Sequence, residues 1–189
     1  EVALNQNKKI NIGIRLNPNI DGQTLDKIST GKKTDKFGID TDKLDKIFQA
    51  LEVSKNVNLI GISCHIGSQI FNINVFVEIF QKMKTNAQIF LDKGYEIKHV
   101  DLGGGLGVNY HQNEEALNLQ LLKKEIDKCY IDIPYKLSFE PGRYLVANSG
   151  ILVTTVITIK NNGGINYLIT DAGMHTLIRP ALYKAHHEI

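Results

Sequence analysis

With 189 residues, 42% of them hydrophobic and 22% charged, the chain can bury a sizeable core and has the composition of a globular protein. A formal charge of +2 is too small to draw it to nucleic acid or an anionic membrane, and lysines that follow acidic residues, as in 40–46, mark solvated helix faces. No apolar run approaches the roughly 20 residues of a membrane helix. Two distant cysteines, Cys64 and Cys129, exclude a disulfide framework or a zinc knuckle; Cys64 reads as a buried structural thiol, and the composition points to the cytoplasm.

Residues 10–16 are apolar and β-branched, a first strand ended by Asn17-Pro18. A polar loop runs through Lys36. Leu44, Ile47, Phe48 and Leu51 recur with the spacing of one helix face. Residues 57–63 form a second strand. Phe76, Ile79, Phe80, Met83, Ala87 and Phe90 mark a longer amphipathic helix stopped at Gly94. Residues 97–102 are a third strand, 117–126 a third helix and 135–139 a fourth strand. Alternation of helices with continuous apolar strands predicts parallel pairing.

After Arg143 the rhythm changes. Residues 151–159 alternate Val, Thr and Ile, Asn161-Asn162-Gly163-Gly164 is a turn signal, and 167–170 is a returning strand, so a hairpin opens a second, all-β module. Four strand–helix units are half of an eight-stranded barrel, and half-barrels leave unpaired edges. The expectation is α/β: the C-terminal half of a TIM-type (β/α)8 barrel over 1–148, then the beginning of a C-terminal β domain over 149–189, with strands missing before Glu1 and β structure missing after Ile189. The alternative is an open doubly wound sheet of four or five strands.

Three motifs each close a strand: Cys64-His65-Ile66-Gly67-Ser68, Gly103-Gly104-Gly105-Leu106-Gly107 and Glu140-Pro141-Gly142-Arg143. A glycine run lets amide groups approach an anion, or is merely a tight turn. It is not the dinucleotide fingerprint, because Val108 or Tyr110 occupies the place of the last glycine. Gly31-Lys32-Lys33-Thr34 fails as a nucleotide loop, since Asp26 stands where its first glycine belongs and Lys33 replaces the hydroxyl residue. Loops after the seventh and eighth barrel strands commonly hold phosphate. Glu140, between Phe139 and Pro141, calls for a charged partner: a protonated pyridine nitrogen, or Arg143. His65 is a satisfied histidine or stacks on a flat cofactor, and Ser68 adds a hydroxyl. Arg179 and Tyr183, four apart, share one ligand or serve a structural ion pair. His186-His187-Glu188 is no metal set, because adjacent residues do not face one ion.

These motifs, with Arg15-Leu16-Asn17-Pro18, Lys27-Ile28-Ser29-Thr30-Gly31, Lys36-Phe37-Gly38-Ile39 and Arg179-Pro180-Ala181-Leu182-Tyr183, resemble the pyridoxal-phosphate decarboxylases of alanine-racemase-like barrel fold. The Lys27 and Arg179 motifs favour the branch acting on diaminopimelate; the glycine and Glu140 motifs are shared with the ornithine and arginine branches. The resemblance implies pyridoxal 5'-phosphate as cofactor and release of carbon dioxide from meso-2,6-diaminopimelate to give L-lysine. His65 is implied to stack on the ring and Glu140 to face the pyridine nitrogen, as the catalytic pair. Gly103, Gly104, Gly105 and Ser68, joined by Pro141, Gly142 and Arg143, are implied to hold the phosphate. Arg143, Arg179 and Tyr183 are implied to bind substrate. The family's anchoring lysine is expected upstream of Glu1, and its later cysteine-glutamate pair and tyrosine after Ile189, so these 189 residues are expected to be inactive alone. A homodimer is implied for the whole protein. A decarboxylase or racemase of another amino acid, and a non-catalytic cofactor binder or split-gene remnant, are the alternatives.

Overall fold

The computed structural model describes residues 1–22, 30–31, 33, 35–110 and 116–188. Of the motifs above, Lys27-Ile28-Ser29 together with Lys32 and Thr34 lies outside them. The chain divides into two compact units, Glu1–Val108 with Glu115–Leu145, and Asn109–Glu114 with Val146–Ile189.

The first unit carries a parallel sheet of β1 (Ile10–Asn17), β2 (Ile39–Asp40), β3 (Val57–Ser63), β4 (His99–Asp101) and β5 (Lys136–Ser138), in the order β2-β1-β3-β4-β5. Parallel neighbours need long crossovers. These are α2 (Leu44–Val53) before β3, α3 (Ile73–Asp92) before β4 and α4 (Leu119–Cys129) before β5, with a short α1 (Val2–Asn5) ahead of β1. A five-residue helix, α5 (Gly142–Val146), follows β5. Asn72 and Asn118 cap α3 and α4, each accepting from an amide of the first turn.

The six apolar positions expected on α3, from Phe76 to Phe90, are all buried, and they meet Ile62, Val100 and Leu102 of the sheet side in one core. Register explains how one strand serves two environments. Ile14, Ile62, Val100 and Leu137 stand in one row and belong to the core or pack on it. The next row, Arg15, Ser63, Asp101 and Ser138, faces the opposite side, as strand alternation requires. Phe80 sits where the layers meet, its ring 6.1 Å from Tyr130 and 6.4 Å from Phe139 between centroids.

The strand β2 was not expected; two residues carry no periodicity, and its pairing to Leu16 and Asn17 is set by tertiary register alone. The third and fourth strands are shorter than expected because only their middle residues reach paired neighbours. In the second unit β6 (Val156–Asn162) and β7 (Ile165–Thr170) form an antiparallel hairpin. Its turn is only Gly163-Gly164, both at positive φ, so Asn161 and Asn162 join the ladder instead of the turn. Residues 151–155 pair with no strand among the described residues. The helix α6 (Arg179–Tyr183) takes Pro180 in its first turn.

Phe80→Ala keeps the carbonyl that accepts the Tyr130 hydroxyl at 2.9 Å, so its cost is packing alone. Urea denaturation is expected to show a loss of about 3–5 kcal/mol, against less than about 0.5 kcal/mol for Ile157→Ala, which is exposed.

Candidate active site

The carboxyl ends of β3, β4 and β5 run directly into the three motifs, and backbone bonds pull those motifs together. The Glu140 amide donates to the Gly103 carbonyl at 2.8 Å, and the Cys64 amide to the Asp101 carbonyl at 3.0 Å. Beyond His65 the chain pairs with the glycine loop: the Ile70 amide bonds Gly105 O at 2.8 Å and the Gly107 amide bonds Ile70 O at 3.0 Å. Gln69 completes this join with its side chain, whose amide nitrogen donates to Val108 O at 3.0 Å while its oxygen accepts from Val108 N at 2.9 Å.

Such close approach requires glycine. A Cβ built on Gly104 overlaps the Glu140 carbonyl oxygen, and one on Gly103 overlaps the carbonyl of Cys64. Gly103 also holds φ +74°, a conformation that side chains rarely adopt. The glycine run is therefore more than a turn: it lets three strand ends share one spot. Among the described residues no hydrogen bond takes up the Gly105 amide.

His65 lies in this junction. Its Nδ1 accepts from the Gly104 amide at 3.2 Å, which leaves the proton of a neutral ring on Nε2. Its carbonyl is held by the Thr30 hydroxyl at 2.7 Å and by the Arg15 guanidinium at 3.2 Å. Burial lowers the imidazole's pKa below the ordinary value, Arg15 adds to the effect, and the Glu140 and Asp101 carboxylates act in the opposite sense. The ring is neutral at physiological pH. Next to it, burial pushes the Cys64 thiol up to about 12, so it stays an inert core group.

Glu140 is exposed, not enclosed by apolar neighbours as its sequence context implied; it lies two residues beyond β5, at the edge of the sheet. Among the described residues no ion pair joins it to Arg143, which is half-buried in α5. Ser68 is half-buried beside Gly67, whose carbonyl packs against Gly105. The junction thus offers an unpaired carboxylate, a neutral imidazole and an amide without an acceptor. A ligand with a protonatable ring nitrogen and an anionic tail fits that donor set.

Sequence spacing brings Arg179 and Tyr183 onto one short helix, with the guanidinium over the phenol ring, 5.7 Å from its centre. Both belong to the second unit. Asp101 was not singled out from sequence, although an Asp two residues before Gly is a turn signal; Gln69 closes the stretch His65-Ile66-Gly67-Ser68-Gln69 that carries the resemblance, with no role given. Arg15 stood in a motif with no role given. Its guanidinium also lies over the Phe37 ring at 5.2 Å.

The family model described as pyridoxal-dependent decarboxylase, pyridoxal binding domain, matches residues 2–147. The chain belongs to the pyridoxal-dependent decarboxylases through that domain. It is 38% identical over its whole length to diaminopimelate decarboxylase of Aquifex aeolicus and 37% identical over 97% of it to that of Pseudomonas aeruginosa. It covers 45% and 44% of those proteins. The crystal structure of Helicobacter pylori diaminopimelate decarboxylase complexed with L-lysine superposes with a TM-score of 0.92 at 35% identity, over 99% of this chain and 47% of that one. The fold is accordingly α/β, half of a (β/α)8 barrel followed by β structure.

The lowered His65 pKa has a signed consequence. As pH falls through 6.5 the unfolded chain takes up this proton first, so stability is lost from there down to the folded-state pKa. An NMR titration is expected to place the His65 ring below 6.5, and His65→Gln to flatten the fall in denaturation free energy below that pH.

Proposed function

We propose that the protein carrying this chain decarboxylates meso-2,6-diaminopimelate to L-lysine and carbon dioxide, with pyridoxal 5'-phosphate bound at the junction of the three strand ends. The observation that carries this reading is similarity through 97–100% of the chain to proteins named for diaminopimelate decarboxylation. Since the chain spans about 45% of their length, the activity is assigned to the whole protein. The barrel part is residues 1–148 and the C-terminal β domain begins at 149. The whole protein is a cytoplasmic homodimer taking a small amino acid. No helix among the described residues is long and apolar enough to cross a membrane.

In this reading the neutral His65 ring lies against the cofactor ring and is not a proton donor. Its low pKa supports that, because a cation there would oppose an electron-poor ring. The Glu140 carboxylate faces the pyridine nitrogen and holds a proton on it; the absence of a competing ion pair among the described residues supports its being available. Gly103, Gly104 and Gly105 with Ser68 hold the phosphate, the free Gly105 amide among them, and Pro141, Gly142 and Arg143 close the other side. When bound, pyridoxal phosphate supplies an electron sink for the pair left as carbon dioxide departs. Arg143, Arg179 and Tyr183 bind the substrate, chiefly its distal carboxylate. Ornithine lacks that group, and an arginine dedicated to it would be left unpaired, which disfavours that substrate.

The full-length protein is to be assayed for carbon dioxide release from diaminopimelate, ornithine and arginine. Diaminopimelate is expected to be preferred, Glu140→Gln to slow turnover by about 10²-fold or more, and Arg179→Ala to weaken diaminopimelate use by about 2 kcal/mol or more. Preference for ornithine, or full activity in Glu140→Gln, refutes the reading.

A further inference from the structure

The row of side chains beneath the site is polar, and one member bonds in two directions. Strand register aligns Arg15, Ser63, Asp101 and Ser138. Asp101 Oδ1 accepts from the Gly103 amide at 2.7 Å, and its Oδ2 accepts from the Ser138 hydroxyl at 2.9 Å. The first bond closes a side-chain turn over the residue that enters positive φ at the head of the glycine loop. The second crosses to β5 two residues before Glu140. One residue beyond Gly103, the Gly104 amide is committed to His65 Nδ1.

We propose that Asp101 is a positioning residue for the cofactor: one carboxylate sets the height of the glycine loop and of the strand that presents Glu140 at the same time. It touches no ligand itself. Asp101 is half-buried, and its Oδ1 is the acceptor that takes up the Gly103 amide. What matters is acceptor geometry rather than charge. Asparagine keeps Oδ1 for the Gly103 amide, and its Nδ2 can donate to a Ser138 hydroxyl turned to accept. Alanine keeps neither bond.

The inference rests on the junction being the cofactor site, and the test separates the two. Full-length wild-type, Asp101→Ala, Asp101→Asn and Ser138→Ala proteins are titrated with pyridoxal phosphate by fluorescence, and amide hydrogen exchange at 103–105 is followed without cofactor. Asp101→Ala is expected to bind about tenfold more weakly and to exchange faster, with Asp101→Asn restored to within about threefold of wild type on both measures. A folded Asp101→Ala protein with unchanged affinity overturns the proposal. So does Asp101→Asn as impaired as alanine, since charge would then be the agent. Should alanine fail to fold, Ser138→Ala decides: binding weakened about threefold with faster exchange supports it, and no change in either overturns it. Wild-type protein that binds no pyridoxal phosphate refutes the site reading instead; unchanged exchange in the folded variants would then also remove Asp101 as the loop's clamp.

Discussion

Three segments separated by some forty residues each meet because the middle one has no side chains where they touch. The Gly104 backbone lies against the Glu140 carbonyl and within reach of the His65 ring, at a separation that a single methyl group would abolish. Two further features of the site follow from that contact. It lets the Glu140 amide reach the Gly103 carbonyl, which brings the carboxylate to the loop's flank. It also turns the Gly104 amide toward the imidazole. The same residues thus serve packing and chemistry, so a glycine here is needed before any ligand arrives. Its loss would damage both together.

The electrostatics of the junction come from the same arrangement. Donors from three segments hold His65: its carbonyl accepts from the Thr30 hydroxyl and the Arg15 guanidinium, and its Nδ1 from the Gly104 amide. Burial then outweighs the two carboxylates that favour the charged ring, because desolvation is the largest cause of the shift. A ring fixed in place and kept neutral suits contact through its face. It suits proton delivery poorly. Arg15 contributes on both counts, as a donor to the His65 carbonyl and as a cation that disfavours imidazolium.

Much of this was legible in the amino-acid pattern, for reasons that differ by residue. The α3 helix declared its buried face because six apolar residues, five of them large, recur at helical spacing over several turns. Likewise β3 covers the residues expected of it, 57–63, because Val57, Leu59, Ile60 and Ile62 crowd apolar, largely β-branched side chains into one short run. The convergence of His65, Gly103 and Glu140 followed from each ending a strand in one parallel sheet. What stayed hidden was set by tertiary register. Ile39 and Asp40 form a strand only because Leu16 and Asn17 lie beside them. The exposure of Glu140 depends on its place at a sheet edge, which its flanking Phe139 and Pro141 do not reveal. Asp101 carried a turn signal, but its second bond, to a serine 37 residues on, has no local trace.

Which residues reach the site is decided lower in the sheet, by one irregularity. Along β1 and β3, Ile12 pairs with Leu59 but Gly13 pairs with Gly61, so Ile60 is an extra residue on β3. Side chains alternate with period two, and a slip of one residue exchanges the faces of everything beyond it. With the bulge, Ile62 meets Ile14 under the helices and Ser63 meets Arg15 beneath the site. Without it, Arg15 would pair with Ile62, setting an arginine and an isoleucine in one row, while Ser63 would move up opposite Leu16. On its other side Gly61 lets β3 lie close to β4, because a Cβ there would press on the His99 carbonyl oxygen at 2.9 Å. The polar row that supports the glycine loop, and the His65 that follows Ser63 by two, therefore depend on a single inserted residue well below the chemistry.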